Sequence, residues 1–183
     1  PIAELCVFDV GQGDALFLQT KSGQQWLIDG GPSSLILSRL GAKLPPWDRT
    51  IDGILLTHPH ADHLVGLVSV LDRYEVKEIV LTDVSYPSPL VAMFEDVVKN
   101  EGAIVHIALA GIVFEEDRVS LRIIFPERLF NRGRVSNVNE SSVVLELSAG
   151  GKEFLIMGDA GEDTERALLS SNEFSHADVL KVG

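Results

Sequence analysis

The sequence predicts a single α+β domain built as a layered sandwich, and three observations support this prediction. The chain has 183 residues, 45% of them apolar, which is enough for one domain with a buried core. Short apolar segments separated by Gly, Pro and polar turns run along the whole chain, without a repeat or a linker. Strand-like segments dominate both ends, and helical apolar spacing appears between them. We therefore expect residues 1–183 to form one domain.

The first half of the chain begins with strands and continues with alternating helices and strands. Strand-like segments with Gly-rich connections at residues 3–9, 15–20 and 25–29 predict an antiparallel meander. A short helix over residues 35–40 is expected to end at Gly41. After the Pro45-Pro46 pair, the predicted elements are a strand at 51–56, a helix at 64–74, a strand at 78–81 and a helix at 90–100, begun by Pro89 and ended by Gly102.

The second half is again rich in strands. Its predicted strands lie at residues 103–108, 112–114, 119–125, 142–147 and 153–157, and they are followed by a helix at 162–169 and a strand at 178–182. Strands of both orientations with interspersed helices are typical of a sandwich of sheets and helices.

Three of the five histidines of the chain lie within six residues, in the segment Thr57-His58-Pro59-His60-Ala61-Asp62-His63. Imidazole and carboxylate groups are suitable ligands for zinc and similar divalent ions when no thiolate is available. His58 and His60 are two residues apart, so in an extended loop both can face one ion. Asp62 and His63 lie where the chain turns into the predicted helix and can reach a second ion. This segment therefore predicts a metal site at the end of a buried strand.

Four further polar residues are candidates for the same site, and each has an alternative interpretation. Asp159 follows an apolar strand and either bridges two ions or caps the next helix. Asp29 also ends an apolar strand and either supports a metal-binding histidine or forms a turn. Asp14 belongs to a Gly-rich loop that supplies groups to the site or is only a tight turn. Asn139 approaches the site or caps its own loop.

The charge of the chain limits the classes of partner. The formal net charge of −12 argues mildly against broad electrostatic binding to nucleic acid. Five arginines nevertheless fall within one short stretch: Arg118, Arg122, Arg128, Arg132 and Arg134. They form either a solvated loop or a clamp for an anionic substrate. Cys6 is the only cysteine, so an internal disulfide is impossible and a site built from several thiolates is excluded.

Six blocks of the sequence together resemble the metallo-β-lactamase superfamily and, within it, the soluble hydrolase-like domain of the ComEC competence family. The blocks are residues 9–15 (DVGQGDA), 27–31 (LIDGG), 56–63 (LTHPHADH), 139–145 (NESSVVL), 157–159 (MGD) and 178–183 (DVLKVG). They occur in family order over the whole chain.

The resemblance implies an αββα sandwich with two divalent metal ions at the edge of the sheets, zinc or alternatively manganese. It assigns His58 and His60 to the first metal, Asp62 and His63 to the second, and Asp159 to a bridge between them. Asp29 would support the site from beneath, with Asp14 and Asn139 as further supporting residues and Asp62 also as a catalytic residue.

The resemblance also implies that the site and the fold include residues beyond the last block. In this family the last block runs on into a histidine-containing segment, so we expect a further ligand, and the C-terminal part of the fold, beyond Gly183. A third histidine on the first metal has no counterpart between His63 and Asp159. Water or the Asn139 region would take its place.

The function that follows from the resemblance is hydrolysis by a water molecule that two metals activate. A phosphodiester is the expected substrate, in particular single-stranded DNA during uptake or processing. The acidic balance favours an alternative, a small ester, lactone or thioester, and a non-catalytic metal-binding module is a third possibility. The oligomeric state is not predicted. With no membrane segment or signal peptide we expect a cytoplasmic protein, or one on the outer side of the membrane if it is part of a ComEC-like protein.

Overall fold

A computed structural model describes residues 2–171, 174 and 176–183 of the chain, and these residues form two sheets with flanking helices. The elements in chain order are β1 (Ala3–Val7), β2 (Leu16–Thr20), β3 (Gln25–Ile28), α1 (Leu35–Lys43), β4 (Thr50–Leu56), α2 (Ala61–Leu71), β5 (Glu75–Leu81), α3 (Pro89–Glu101), β6 (Ile104–Ile107), β7 (Val113–Glu116), β8 (Val119–Phe125), a 3₁₀ turn (Val138–Ser141), β9 (Val144–Ala149), β10 (Lys152–Ile156), α4 (Glu162–Ser171) and β11 (Val179–Lys181).

The first sheet has the strand order β1-β2-β3-β4-β5-β6. Its first three strands form the antiparallel meander that the Gly-rich connections predict. From β3 onward the strands are parallel, because α1, α2 and α3 provide the crossover connections that parallel pairing needs. The carboxyl ends of β3, β4 and β5 therefore lie at one edge of the sheet.

The second sheet has the strand order β11-β10-β9-β8-β7. Its pairs are antiparallel except β10 with β11, which run parallel because α4 lies between them in the chain. The amide of Val143, just before β9, donates a hydrogen bond of 2.9 Å to the carbonyl of Thr57, just after β4. This bond joins the two sheets at the edge where the histidine segment begins.

Alternation of apolar side chains along the strands produces four layers. In β3, Trp26 and Ile28 point between the sheets, where they pack with the inner face of the second sheet, while Leu27 packs beneath α1, α2 and α3. On the far side, Leu168 of α4 packs against the outer face of the second sheet. The order helix, sheet, sheet, helix confirms the predicted αββα sandwich.

The boundaries of two helices differ from the predictions. Helix α1 continues through the exposed Gly41 to Lys43, and it ends where Leu44 adopts an extended backbone before the proline pair. Helix α2 begins at Ala61, earlier than the apolar spacing predicts, so Asp62 and His63 lie in its first turn. The spacing missed this turn because its side chains serve the site and not the apolar stripe. None of the helices in the described part of the chain is long and apolar enough to cross a membrane.

Candidate metal centre

The histidine segment occupies the loop between β4 and α2. The strand residues Ile54 and Leu55 are fully buried and belong to the apolar clusters on the two faces of the first sheet, which fixes the end of β4 in place. His60 has an extended backbone and precedes the first helical residue. The histidines therefore lie outside the carboxyl end of a parallel strand, the edge where sites of α/β sheets are found.

A close contact between two glycines positions the start of α2. A Cβ atom on Gly66 would lie 1.8 Å from the carbonyl oxygen of Gly30, so no other residue fits there. Because the backbones approach this closely, the Gly30 amide donates to the His63 carbonyl at 2.8 Å and the Gly66 amide donates to the Gly31 carbonyl at 3.0 Å. The contact holds the first turn of α2 against the loop that carries Asp29.

Asp29 is fully buried beneath the histidines and its carboxylate is saturated with donors. The Thr57 amide donates to Oδ1 at 2.8 Å, and the Thr57 hydroxyl and His63 Nδ1 donate to Oδ2 at 2.7 and 2.8 Å. Burial raises the pKa of Asp29, and the donors from His63 and Thr57 oppose that rise. The backbone of Asp29 is left-handed (φ 58°), a conformation that aspartate tolerates better than most residues.

These hydrogen bonds fix which nitrogen of each ring carries the proton. The Thr57 hydroxyl has one proton and donates it to Asp29, so at 3.1 Å from His58 Nδ1 it accepts the proton of that nitrogen. His63 likewise uses its Nδ1 proton on Asp29. In their neutral forms both rings therefore direct an unprotonated Nε2 away from Asp29, as a metal-binding histidine requires.

The Nε2 atoms of His58 and His63 lie near the carboxylates of Asp62 and Asp159. His58 Nε2 lies 3.0 Å from His60 Nδ1 and 3.9 Å from Asp159 Oδ2. His63 Nε2 lies 3.5 Å from the same oxygen of Asp159 and 4.0 Å from Asp62 Oδ1. Ligand atoms of His58, His63 and Asp159 all lie within 4.8 Å of one another. The structure thus brings the five predicted ligands together, with Asp159 between the two histidines.

The residues present fit a divalent cation. His63 Nε2 is buried and has no hydrogen-bond partner among the residues that the structure describes. Burial, reinforced by the neighbouring His63, His60 and Lys181, lowers the pKa of His58 to about 2. Burial disfavours a charged His63 as well, but the hydrogen bond and charge of Asp29, with the charges of Asp159 and Asp62, outweigh it and raise the pKa to about 9. The carboxylates around His63 thus favour positive charge in the centre, which a metal ion supplies.

Asp14 reaches this region through the Gly-rich loop that follows β1. A Cβ atom on Gly13 would lie 1.9 Å from the Asp62 carbonyl oxygen, so the loop packs directly on the first turn of α2. The Asp14 carboxylate lies within 4.8 Å of ligand atoms of Asp29 and His63, and it forms an ion pair with Lys181 of β11. Sequence reasoning assigned no role to Lys181, although a charge in the apolar segment Val179–Lys181 was a usable signal.

Asn139 and His106 lie in different surroundings. Asn139 belongs to the 3₁₀ turn that leads to Val143, and its side-chain oxygen is buried without a partner among the described residues. A supporting role for Asn139 stays a prediction. His106 lies on β6, where its Nε2 is 2.9 Å from Glu78 on β5. It serves the pairing of these strands and lies outside the cluster.

Sequence comparison identifies the family of the chain. The sequence profile described as the metallo-β-lactamase superfamily matches residues 8–182. The chain is 24% identical over 197 aligned residues to ComE operon protein 3 of Bacillus subtilis (strain 168), an alignment that covers 98% of this chain and 25% of the relative. The chain therefore spans about a quarter of the length of that curated relative.

Solved structures show the same fold at low identity. The metallo-β-lactamase fold protein YhfI from Bacillus subtilis superposes with a TM-score of 0.64 at 14% identity, covering 97% of this chain and 70% of that one. Zn²⁺-bound PqqB from Methylobacterium extorquens gives a TM-score of 0.58 at 17% identity, covering 91% of this chain and 58% of that one. Since the profile matches almost the entire length, the chain belongs to the metallo-β-lactamase superfamily.

Proposed function

We propose that this chain is a metal-dependent hydrolase that cleaves phosphodiesters with the help of two divalent ions. The observation that carries the proposal is the convergence of His58 Nε2, His63 Nε2 and Asp159 Oδ2 within 4.8 Å, with the buried His63 Nε2 lacking a partner among the described residues. Purely structural histidines have both ring nitrogens satisfied when they are buried. The orphaned nitrogen is therefore best explained by a cation.

In the proposed site, His58 and His60 would hold one ion, Asp62 and His63 would hold the other, and Asp159 would serve both. Bound divalent ions, zinc or manganese, would supply Lewis acidity that activates water and polarises the scissile bond. Asp29 keeps the proton on His63 Nδ1 and so keeps Nε2 available. The carboxylate of Asp62 remains 42% exposed, and we assign it the role of accepting a proton at the open side of the centre.

Two observations favour different substrate classes. Similarity to ComE operon protein 3 and the ComEC-like blocks of the sequence favour a phosphodiester, in particular single-stranded DNA. The net charge of −12 favours the second candidate, a small ester, lactone or thioester, because an acidic protein repels polyanions. Because one fold supports many reactions, direct assays have to decide between them.

The first test is metal content. We expect the purified protein to bind two equivalents of zinc or manganese, measured by elemental analysis after dialysis. His58→Ala and Asp159→Asn should each bind less metal, whereas Asp163→Asn on the exposed surface of α4 should bind as much as the original protein. Less than one equivalent in the original protein would contradict a dinuclear centre.

The second test is turnover. Labelled single-stranded DNA and a chromogenic phosphodiester are incubated with the zinc- and manganese-loaded protein, and a lactone and a thioester are assayed in parallel. Cleavage of the phosphodiesters that His58→Ala abolishes and Asp163→Asn preserves is the expected result. Turnover of only the lactone or thioester would overturn the nuclease assignment, and full metal content without any turnover would favour a non-catalytic module.

A further inference from the structure

An exposed aromatic ring adjoins the metal centre. Tyr86 belongs to the connection between β5 and α3, residues 82–88, and its ring meets the ring of His60 edge to face with 5.6 Å between centroids. Tyr86 is 37% exposed. A planar group that binds to Tyr86 would therefore lie beside one of the proposed metal ligands.

A second loop, residues 126–137 between β8 and the 3₁₀ turn, is held against the connection that carries Tyr86. The carboxylate of Asp83 accepts hydrogen bonds from the amides of Phe130 and Asn131 at 2.8 and 2.7 Å. The amide of Ser85 donates to the carbonyl of Gly133 at 3.0 Å. Two bonds to the Asp83 carboxylate and one backbone bond thus hold residues 130–133 against the connection of Tyr86, and they stabilise the left-handed backbone of Asn131 (φ 54°).

This loop carries three of the five arginines that the sequence groups together. Arg128, Arg132 and Arg134 are exposed and lie between β8 and the 3₁₀ turn. Arg118 lies at the turn between β7 and β8, at the other end of β8, and Arg122 pairs with Glu146 in the sheet at 2.7 Å. The tertiary structure therefore separates the arginine group into three on the loop that is bonded to the connection of Tyr86 and two on the second sheet.

The three arginines are available to an anion. Arg132 contacts Glu95 at 3.8 Å, but both side chains are largely exposed, so the pair is weak. Within the described part of the chain, Arg128 and Arg134 have no carboxylate within 4.0 Å. Three carboxylates lie in the same region, Glu127, Asp83 and Glu95, and they equal the three arginines in number. Asp83 is bonded to two backbone amides, so the exposed guanidinium groups remain open to an anion.

We propose that Tyr86, Arg128, Arg132 and Arg134, here called the site rim, bind single-stranded nucleic acid and direct one phosphodiester to the metal centre. A base stacks on Tyr86 and the guanidinium groups contact the phosphates on its flank, the combination by which proteins bind unpaired strands. This inference rests on the proposed function for its catalytic meaning. The three exposed guanidinium groups can each contact a phosphate directly, although the chain as a whole is acidic.

The rim is tested by binding without catalysis. Protein stripped of metal with EDTA is titrated into fluorescein-labelled oligothymidine, and anisotropy is followed at several salt concentrations. The triple variant R128Q/R132Q/R134Q should bind about tenfold or more weakly, and the slope of log affinity against log salt should fall by about 2, since each lost phosphate contact on a single strand contributes about 0.7.

A matched control removes the same charge elsewhere. The triple variant R73Q/R118Q/R166Q replaces exposed arginines away from the rim and changes the net charge equally. Its affinity should stay within about twofold of the original protein, because distant exposed charges are screened. An equal loss of affinity in both triple variants would show general charge repulsion and overturn the rim.

The aromatic contribution is tested separately. Tyr86→Ala should weaken binding about 5- to 150-fold, which corresponds to the loss of one stacked base, while Tyr86→Phe should retain binding because it keeps the ring. Trp47→Ala is the control, since Trp47 is 83% exposed but lies before β4, at the sheet edge opposite the site. Equal binding of the Ala and Phe variants of Tyr86 would exclude stacking.

Two results separate the rim from the proposed reaction. With a chromogenic phosphodiester too small to reach the arginines, R128Q/R132Q/R134Q should keep kcat and KM, whereas with the oligonucleotide it should raise KM. Binding by the original protein that the rim variants lose, without cleavage of any phosphodiester, would refute the hydrolase and leave the rim standing. Cleavage that the rim variants leave unchanged, or no binding by the original protein at low salt, would refute the rim.

Discussion

The two sheets contribute to the candidate site in different ways. The first sheet, covered by α1, α2 and α3, supplies His58, His63 and Asp29, whose side chains are completely buried. The second sheet, covered by α4, supplies Asp159, whose side chain is 28% exposed, and Lys181 on its edge strand. One side of the site is therefore embedded in a packed core, and the other side comes from a sheet edge.

The candidate ligands of the two sheets are therefore held in place by different means. The groups from the first sheet are oriented by a network in which Asp29 bonds both Thr57 and His63. Asp159 is delivered by the end of β10, whose outer neighbour β11 has only three residues and exposes the side chain of Leu180. We therefore expect substitutions in the first sheet and its helices to disrupt the whole centre. Substitutions at the edge of the second sheet should have smaller effects.

The largest effect is expected at the close contact between α2 and the loop after β3, where a side chain has no space. Gly66→Ala places a Cβ atom 1.8 Å from the Gly30 carbonyl oxygen, so α2 has to move away from the Asp29 loop. The free energy of unfolding should fall by about 3 kcal/mol or more, because backbone cannot yield as a flexible side chain does. Chemical denaturation measures this loss, and metal content should fall with it.

Gly41→Ala is the matched control for this substitution. Gly41 lies in α1, where a Cβ atom would meet nothing within 4 Å, so alanine should stabilise the protein by about 0.5–1 kcal/mol. Similar unfolding free energies for the two variants would mean that the contact between α2 and the Asp29 loop does not fix the site.

A smaller effect is expected from the network that orients the histidines. Asp29→Asn tolerates the left-handed backbone and keeps an oxygen for Thr57, but it removes the anionic acceptor of His63 Nδ1. Metal affinity should fall about 10- to 100-fold, as it does when the partner of a metal-binding histidine is lost. Competition with a chromophoric chelator measures the affinity, with Asp163→Asn as the exposed control. An unchanged affinity would contradict the role of Asp29.

The smallest effect is expected at the edge of the second sheet. Asp178 accepts hydrogen bonds from Lys152 Nζ at 2.7 Å and from the Glu153 amide at 3.0 Å, and these donors lower its pKa. A carboxylate whose pKa is lowered by folding stabilises the protein above its unfolded pKa, and this contribution disappears as the pH falls through the folded pKa. Asp178→Asn should therefore lower Tm at pH 7 and have little effect well below pH 3.8, the ordinary pKa.

The partner of this ion pair provides the control for the edge. Lys152→Gln should lower Tm at pH 7 to a similar extent, and the double variant should lower it no further, because both substitutions remove one interaction. A difference in Tm between Asp178→Asn and the original protein that stays the same at low pH would show that the ion pair is not the cause.

Most of the fold follows from the periodicity of the sequence. The antiparallel meander β1 to β3 and strand β8 agree with the predictions. The apolar residues of β2 and β3 are buried on both faces of the first sheet, and β8 alternates between buried and partly buried residues over most of its length. Helix α1 was predicted too short, because Gly41 was taken as its end, whereas the helix continues to Lys43 and stops at the residue before Pro45. Helical spacing also could not detect the first turn of α2, where Asp62 and His63 point toward the site.

The sequence by itself indicated the family and predicted the histidine segment and Asp159 as candidate ligands, because ligand chemistry and motif order depend on residue types and spacing. It could not determine that Thr57 bonds Asp29 and Lys181 pairs with Asp14, or that the loop of Arg128, Arg132 and Arg134 is bonded to the connection of Tyr86. Only tertiary structure decides such neighbourhoods, since they depend on how two sheets pack. The pairing of Lys181 with Asp14 spans 167 positions of the chain, a separation that no local pattern encodes.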